Sequence, residues 1–366
     1  MTDTGSAGSA GSAGLSDAKA VPTRPAWPSG TATGRGPMAG VDVRAALRVV
    51  LDAVPELPFL VELPGRGPGA DLVGRTLALL PDFPADFGPA GWVMTDRPGR
   101  DLRRARSYLG EDLDAFEELL AGWDGVAKAQ LCGPWTLAAR LEMRGGHKLL
   151  SDSGATRDLH QAYGEAVHAH SIDLARRVPN ARAWLLQLDE PSLPDVLAGG
   201  VSTASGWGHL PPAHDPEVES GLAAAVRALP TGVEAVFECA AAAPPVRLFR
   251  TAGANAVALD ATRLTEADDD PIGEAVEAGV RLVLGVVPPP DKSGAGDLLD
   301  ATTAAHPVRE LWHRLGQPPE RLADVVPTPT RPLDQVGLDV AGAVLRRCAE
   351  VARVFRDEPE EGSDEP

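Results

Sequence analysis

Short apolar runs alternate along this chain with longer stretches of helical spacing. The sharpest run is 184–193, W-L-L-Q-L-D-E-P-S-L. It is too short for a free-standing helix and reads as a strand buried on both faces. Two carboxylates, Asp189 and Glu190, end it, and Pro191 stops the ladder. Acids at the mouth of a buried strand are costly unless something pairs with them, which marks this end as a site.

Similar runs at 59–63 (FLVEL), 126–131 (VAKAQL), 233–239 (VEAVFEC), 254–259 (ANAVAL), 281–287 (RLVLGVV) and 323–326 (ADVV) also read as strands. Residues 31–40 (TATGRGPMAG) read as a short strand opening into a Gly-rich turn. Helical spacing fits 43–54, 71–80, 101–120, 137–143, 155–177, 218–229, 246–251, 271–278, 307–315 and 338–355, while Gly91, Trp92 and Val93 read as loop. Strand and helix in alternation imply parallel pairing with right-handed crossovers. Eight such units over about 330 residues predict an α/β (β/α)8 TIM barrel, with an open doubly wound sheet as the competing arrangement. The expected barrel spans 30–356. Before it lies a Gly/Ser/Ala- and Pro-rich tail, 1–29, and after it an acidic tail, 357–366, both expected to be disordered.

Composition narrows the function classes. A net charge of −18 disfavours nucleic acid and anionic membranes as partners. No run approaches the roughly 20 apolar residues that cross a bilayer, and no secretory signal pattern opens the chain. Three widely separated cysteines, Cys132, Cys239 and Cys348, fit a reducing cytoplasm better than a disulfide framework, and Cys132 and Cys348 read as small core residues. Gly65, Gly67 and Gly69 follow a strand, but they miss the G-x-G-x-x-G spacing, and Pro68 removes a donor that phosphate would need. His147, His160, His168 and His170 lie on or near one helical stretch without an acid at ligand spacing and read as a solvated surface.

In a barrel, chemistry sits where the strands end. The polar residues there are Glu62, Lys128 with Gln130, Asp189 with Glu190, Glu238 with Cys239, and Asp260. Five units thus deliver polar groups to one end of the sheet.

These residues carry a resemblance. Q-L-D-E-P-S-L (187–193) resembles the aspartate-glutamate-proline motif in the C-terminal catalytic barrel of the cobalamin-independent methionine synthase family, whose superfamily includes the uroporphyrinogen decarboxylase fold. K-A-Q-L-C-G-P-W (128–135), V-F-E-C-A (236–240), V-A-L-D (257–260), L-G-V-V-P (284–288) and V-V-P-T-P-T-R-P-L (325–333) resemble further strands of that barrel, in family order. The likeness covers about 31–355 and is close to the compact, barrel-only members found in actinobacteria.

The resemblance implies methyl transfer from 5-methyltetrahydrofolate to a thiol such as homocysteine. Zinc would lower the thiol pKa and hold the sulfur in line with the methyl group. Asp189 would bind the substrate amino group with Glu190 beside it, and Glu62, Lys128 and Gln130 would help bind substrate. The family's zinc ligands are one histidine, two cysteines and a glutamate. Here the histidine position holds Phe237 or Glu238, Cys239 remains, Asp260 stands for the glutamate, and Thr330 or Arg331 replaces the last cysteine. The implied metal set is therefore Cys239, Asp260 and Glu238. Because zinc favours several nitrogen and sulfur ligands, a diverged, zinc-free member that binds a small molecule or acts without catalysis is the alternative. A porphyrin-type decarboxylase would need an arginine-rich opening motif to hold several propionates, and the sequence shows none.

Overall fold

The apolar runs assemble into one six-stranded, all-parallel, curled sheet whose strands stand in chain order. The computed structural model describes residues 27–291 and 298–359. Along the chain come helix α1 (Val43–Ala53), α2 (Leu72–Leu79), strands β1 (Ala85–Gly88) and β2 (Gly91–Met94), α3 (Arg100–Leu119) and β3 (Val126–Cys132). Next are α4 (Pro134–Arg140), α5 (Ser153–Arg177), β4 (Ala183–Asp189), α6 (Leu193–Ala198), α7 (Asp215–Arg227), β5 (Val233–Glu238) and α8 (Val246–Thr251). The series ends with β6 (Ala256–Asp260), α9 (Asp269–Glu277), β7 (Arg281–Val287), α10 (Ala301–Arg314), β8 (Val326–Pro329) and α11 (Leu338–Asp357). No described helix is long and apolar enough to cross a membrane.

Every residue of β3, β4, β6, β7 and β8 is buried, as near-continuous apolar strands covered on both faces should be. Alternation sorts their side chains. Val126, Ala183, Leu185, Val236, Ala256, Ala258, Val283 and Val326 pack on the inner face, while Leu186, Leu188, Phe237, Val257, Leu259 and Leu284 join the large cluster formed with the helices.

Six regular strands form where eight were expected. The two missing segments are extended and bridge the sheet edges through isolated pairs, Pro37 with Glu62 and Phe59 with Lys128. Leu60 N–H donates to Lys128 O (2.8 Å), Met38 N–H to Glu62 O (2.8 Å), and Thr33 N–H to Pro327 O (3.2 Å). Pro37 and Pro58 lack the donors a ladder needs, and Gly36 at φ +128° leaves the extended region, so these segments pair only residue by residue.

Other boundaries move for tertiary reasons. The loop expected at Gly91–Val93 is half of a β1–β2 hairpin, fastened by the edge-on contact of Phe87 and Trp92 at 5.6 Å. Helix α4 starts three residues before its predicted start because the Glu190 carboxylate, from another strand, accepts its first N–H groups. Helix α10 begins at the Asp300 cap and carries Pro307 inside it. The last strand lies later than 323–326, after a 3-10 turn at Pro319–Asp324. The expected solvated histidine face is also corrected. His168 is exposed, but His170 is buried with neither ring nitrogen bonded, and His160 packs edge-on against Trp135. Burial lowers both buried imidazoles to about 4.

Residues 1–26 and 360–366 of the predicted tails lie outside the described residues. Trp27, placed within the N-terminal tail by composition, is 3% exposed and closes the inner core from below. The Arg281 guanidinium stacks 4.6 Å from its ring and donates to its carbonyl at 2.9 Å. Trp27→Ala is therefore expected to cost about 3–5 kcal/mol of unfolding free energy, measured by urea denaturation. A change within 0.5 kcal/mol, the scale of surface substitutions, would show that this plug is not part of the cooperative fold.

Candidate functional site

Strand parity places Lys128 and Gln130 of β3, Gln187 and Asp189 of β4, and Glu238 of β5 on the same inner face. Register sets Gln130 beside Gln187, and Asp189 beside Glu238. Thr328 of β8 and Asp260 of β6 flank the same end through Gly285. All of these side chains are buried.

One residue that the sequence did not single out sits at the centre. Arg35 comes from the extended segment before Gly36. Its Nη2 pairs with Glu238 and its Nη1 donates to the Thr330 carbonyl at 2.6 Å. The Arg35 carbonyl accepts from Gln187 Nε2 at 3.0 Å, and the same amide donates to Asp189 Oδ1 at 2.7 Å. Gln187 Oε1 accepts from Lys128 Nζ at 2.9 Å. Because an ammonium only donates, this contact fixes which end of the amide is oxygen. A Cβ on Gly36 would lie 2.7 Å from the Gln130 amide carbon, so a larger residue there would push the Arg35 turn off β3.

Burial dominates the electrostatics. It lowers Lys128 to about 8, while Asp189, Glu62 and Glu238 pull it back up. Asp189 is raised, first by burial and then by the charges of Glu238 and Glu62. Its Oδ2 has no hydrogen bond among the described residues. Glu62 rises to about 7, again mainly by burial, with Arg75 opposing. The Gln130 amide also opposes that rise, but its Nε2 donates to Leu60 O at 2.7 Å, and neither Glu62 oxygen has a bond of normal geometry.

Adjacent residues separate to different tasks. Glu190 is fully buried, accepts from Trp135 N (3.0 Å) and Thr136 N (2.7 Å), and thereby holds the start of α4. Gly133 makes this possible, because any Cβ there would overlap the Glu190 carboxyl. Cys239 joins the apolar cluster shared by sheet and helices, and its thiol is pushed up to about 12, first by burial. Asp260 Oδ1 accepts from Thr262 N (3.0 Å) and Thr262 Oγ1 (2.7 Å).

The structure thus brings Glu62, Lys128, Gln130, Asp189 and Glu238 into one polar cluster. Asp260 flanks the cluster with its Oδ1 bonded to Thr262, while Glu190 holds the start of α4 and Cys239 packs in the apolar layer. Among the described residues, no group of three His, Cys, Asp or Glu side chains is arranged to hold a metal ion. Glu238 is committed to a guanidinium, Cys239 is a buried thiol held well above neutrality, and Arg331 bonds the Pro289 and Pro290 carbonyls. The residues present do not fit zinc. Arg35 escaped the sequence reading because it lies before a turn, not at a strand end; the available signal was a lone cation between Gly34 and Gly36. Gln187 lies inside an otherwise apolar run and ends no strand, so strand-end position does not mark it.

No protein-family model matches the chain, and no curated protein does. Among solved structures, it is similar to a B12-independent methionine synthase from Shewanella sp. W3-18-1 in complex with selenomethionine. The identity is 13% and the TM-score 0.52, over 92% of this chain and 95% of that one. At this identity the likeness shows the fold alone: an α/β, methionine-synthase-like architecture.

Glu62 supplies a pH test. Its folded pKa near 7 exceeds the ordinary value of 4.5, so the native state binds more protons between those limits. Its contribution to stability therefore falls as pH rises from about 4.5 to 7. Glu62→Gln removes that loss, so the variant should gain up to about 3 kcal/mol on wild type between pH 5 and 8. Urea unfolding at both pH values measures it, and parallel pH profiles would show that Glu62 is charged at little cost.

Proposed function

We propose that this chain is a zinc-independent (β/α)8-type protein of the methionine-synthase fold that binds a small amino-acid-type ligand at the carboxyl end of its sheet. Asp189 receives the ligand's ammonium group, and Lys128, Gln130 and Glu62 set the charge and shape around it. The observation that carries this reading is the buried Asp189 carboxylate with one oxygen bonded by Gln187 and the other unbonded. An ammonium group is a strong partner for such an oxygen. The similar methionine synthase was solved with selenomethionine, an amino acid. Three buried free thiols accord with a reducing compartment, here the cytoplasm.

Methyl transfer from 5-methyltetrahydrofolate to homocysteine is the second reading, favoured by a fold likeness to a methionine synthase that spans 92% of the chain. It would require thiol deprotonation without a metal. Glu62, raised to about 7, and Lys128, lowered to about 8, are the groups of the cluster whose pKa values suit that base.

Calorimetry with methionine and homocysteine tests the first reading. Asp189→Asn should weaken binding by about 1–3 kcal/mol, the scale for a charged hydrogen-bond partner left unmet. Equal affinity in the variant removes Asp189 from the ligand site. Elemental analysis should find zinc well below stoichiometric, with methionine formation at background. Stoichiometric zinc with turnover would instead establish the second reading.

A further inference from the structure

We propose that the Arg35–Glu238 pair is a carboxylate gate: Arg35 recognises the ligand's carboxylate, and Glu238 is the internal carboxylate that the ligand displaces. This assignment rests on the amino-acid reading above and specifies its ligand class as α-amino acids.

Position is the first argument. Asp189 and Glu238 are direct register partners on neighbouring parallel strands, so their side chains leave the same face about 4.8 Å apart. The ammonium and carboxylate of an α-amino acid leave one carbon, so a single small ligand can meet Asp189 with the first group and Arg35 with the second. Arg35 is preset for this. The Thr330 carbonyl holds its Nη1, Gln187 holds its backbone carbonyl, and Gly36 fixes the turn that follows. A guanidinium presents five N–H donors in a planar fork, and the described residues occupy Nη1 and Nη2 with one partner each.

Access and exchange follow. The Arg35 side chain is 16% exposed and that of Glu238 6%, so the pair is approached from solvent over the guanidinium. A small cavity of about 10 Å³ lies between Arg35, Glu238, Val283 and Thr328. It has room for about one water and marks a gap in the packing beside the Glu238 carboxylate. The Thr328 hydroxyl at its edge has no bond among the described residues and is a ready donor to it. Without ligand, Glu238 keeps the guanidinium from being a buried, unmatched cation.

Calorimetry with three probes tests the gate: methionine, its deaminated analogue, which keeps only the carboxylate, and methioninol, which keeps only the amine. Glu238→Gln removes the competitor, so it should bind the deaminated analogue about tenfold more tightly than wild type. Arg35→Gln should abolish binding of the analogue. Arg35→Lys, which keeps the charge without the fork, replaces it if circular dichroism shows the first variant unfolded, and it should weaken binding. A folded Glu238→Gln that binds the analogue no more tightly than wild type overturns the gate. If methioninol binding still depends on Asp189 in that case, the amino-acid reading stands and only the gate falls. If none of the three compounds binds wild type or variant, both fall.

Discussion

Two cations, Arg35 and Lys128, and three carboxylates, Glu62, Asp189 and Glu238, crowd one end of the parallel sheet, and the arrangement is tolerable only because their charges are largely balanced. Arg35 pairs with Glu238, and Lys128 reaches Asp189 through Gln187. Glu62, the carboxyl of this cluster without a hydrogen-bond partner, is lifted to about 7 and Asp189 is raised as well, so protonation removes part of the acidic charge. Taking any of these charges out of water unpaired would cost several kcal/mol. This constraint explains why Arg35 arrives from a segment outside the regular strands. The sheet supplies an excess of acid at its mouth, and the balancing cation has to come from elsewhere.

Parity is the second constraint. Successive strand residues face opposite sides, so neighbours in sequence take unrelated roles. Asp189 turns into the polar cluster while Glu190 turns to the start of α4. Glu238 turns to Arg35 while Cys239 joins the apolar layer. A metal site assembled from Glu238, Cys239 and Asp260 would need adjacent residues to converge, and the pleat of β5 separates them. Glu238 is in addition already paired with the Arg35 guanidinium.

The alternation of short apolar runs with helical spacing was enough to read an α/β chain with a parallel sheet, and the amphipathic stretches gave most helices to within a few residues. It was not enough for the two segments around Pro37 and Phe59, where proline and glycine reduce would-be strands to isolated bridges. Long-range partners were illegible in the same way. Nothing near 134 announces that a carboxylate at 190 will cap its helix, and nothing near Trp27 announces that it will stack on Arg281.

The sequence by itself determined most of the buried strands, where β3 to β7 end to within a residue, and that acids gather at those ends, because apolar period and strand breakers are local properties of the chain. Asp189 was legible for that reason. Only the tertiary structure decided which acids face one another, that Arg35 neutralises Glu238, and that Glu190 and Cys239 are spent on packing. Those outcomes depend on register, on strand parity and on contacts between residues far apart in the chain, 203 positions for Arg35 with Glu238 and 295 for Arg35 with Thr330. Pairing across that distance is set by the fold's demand for charge balance, which no local stretch of sequence records.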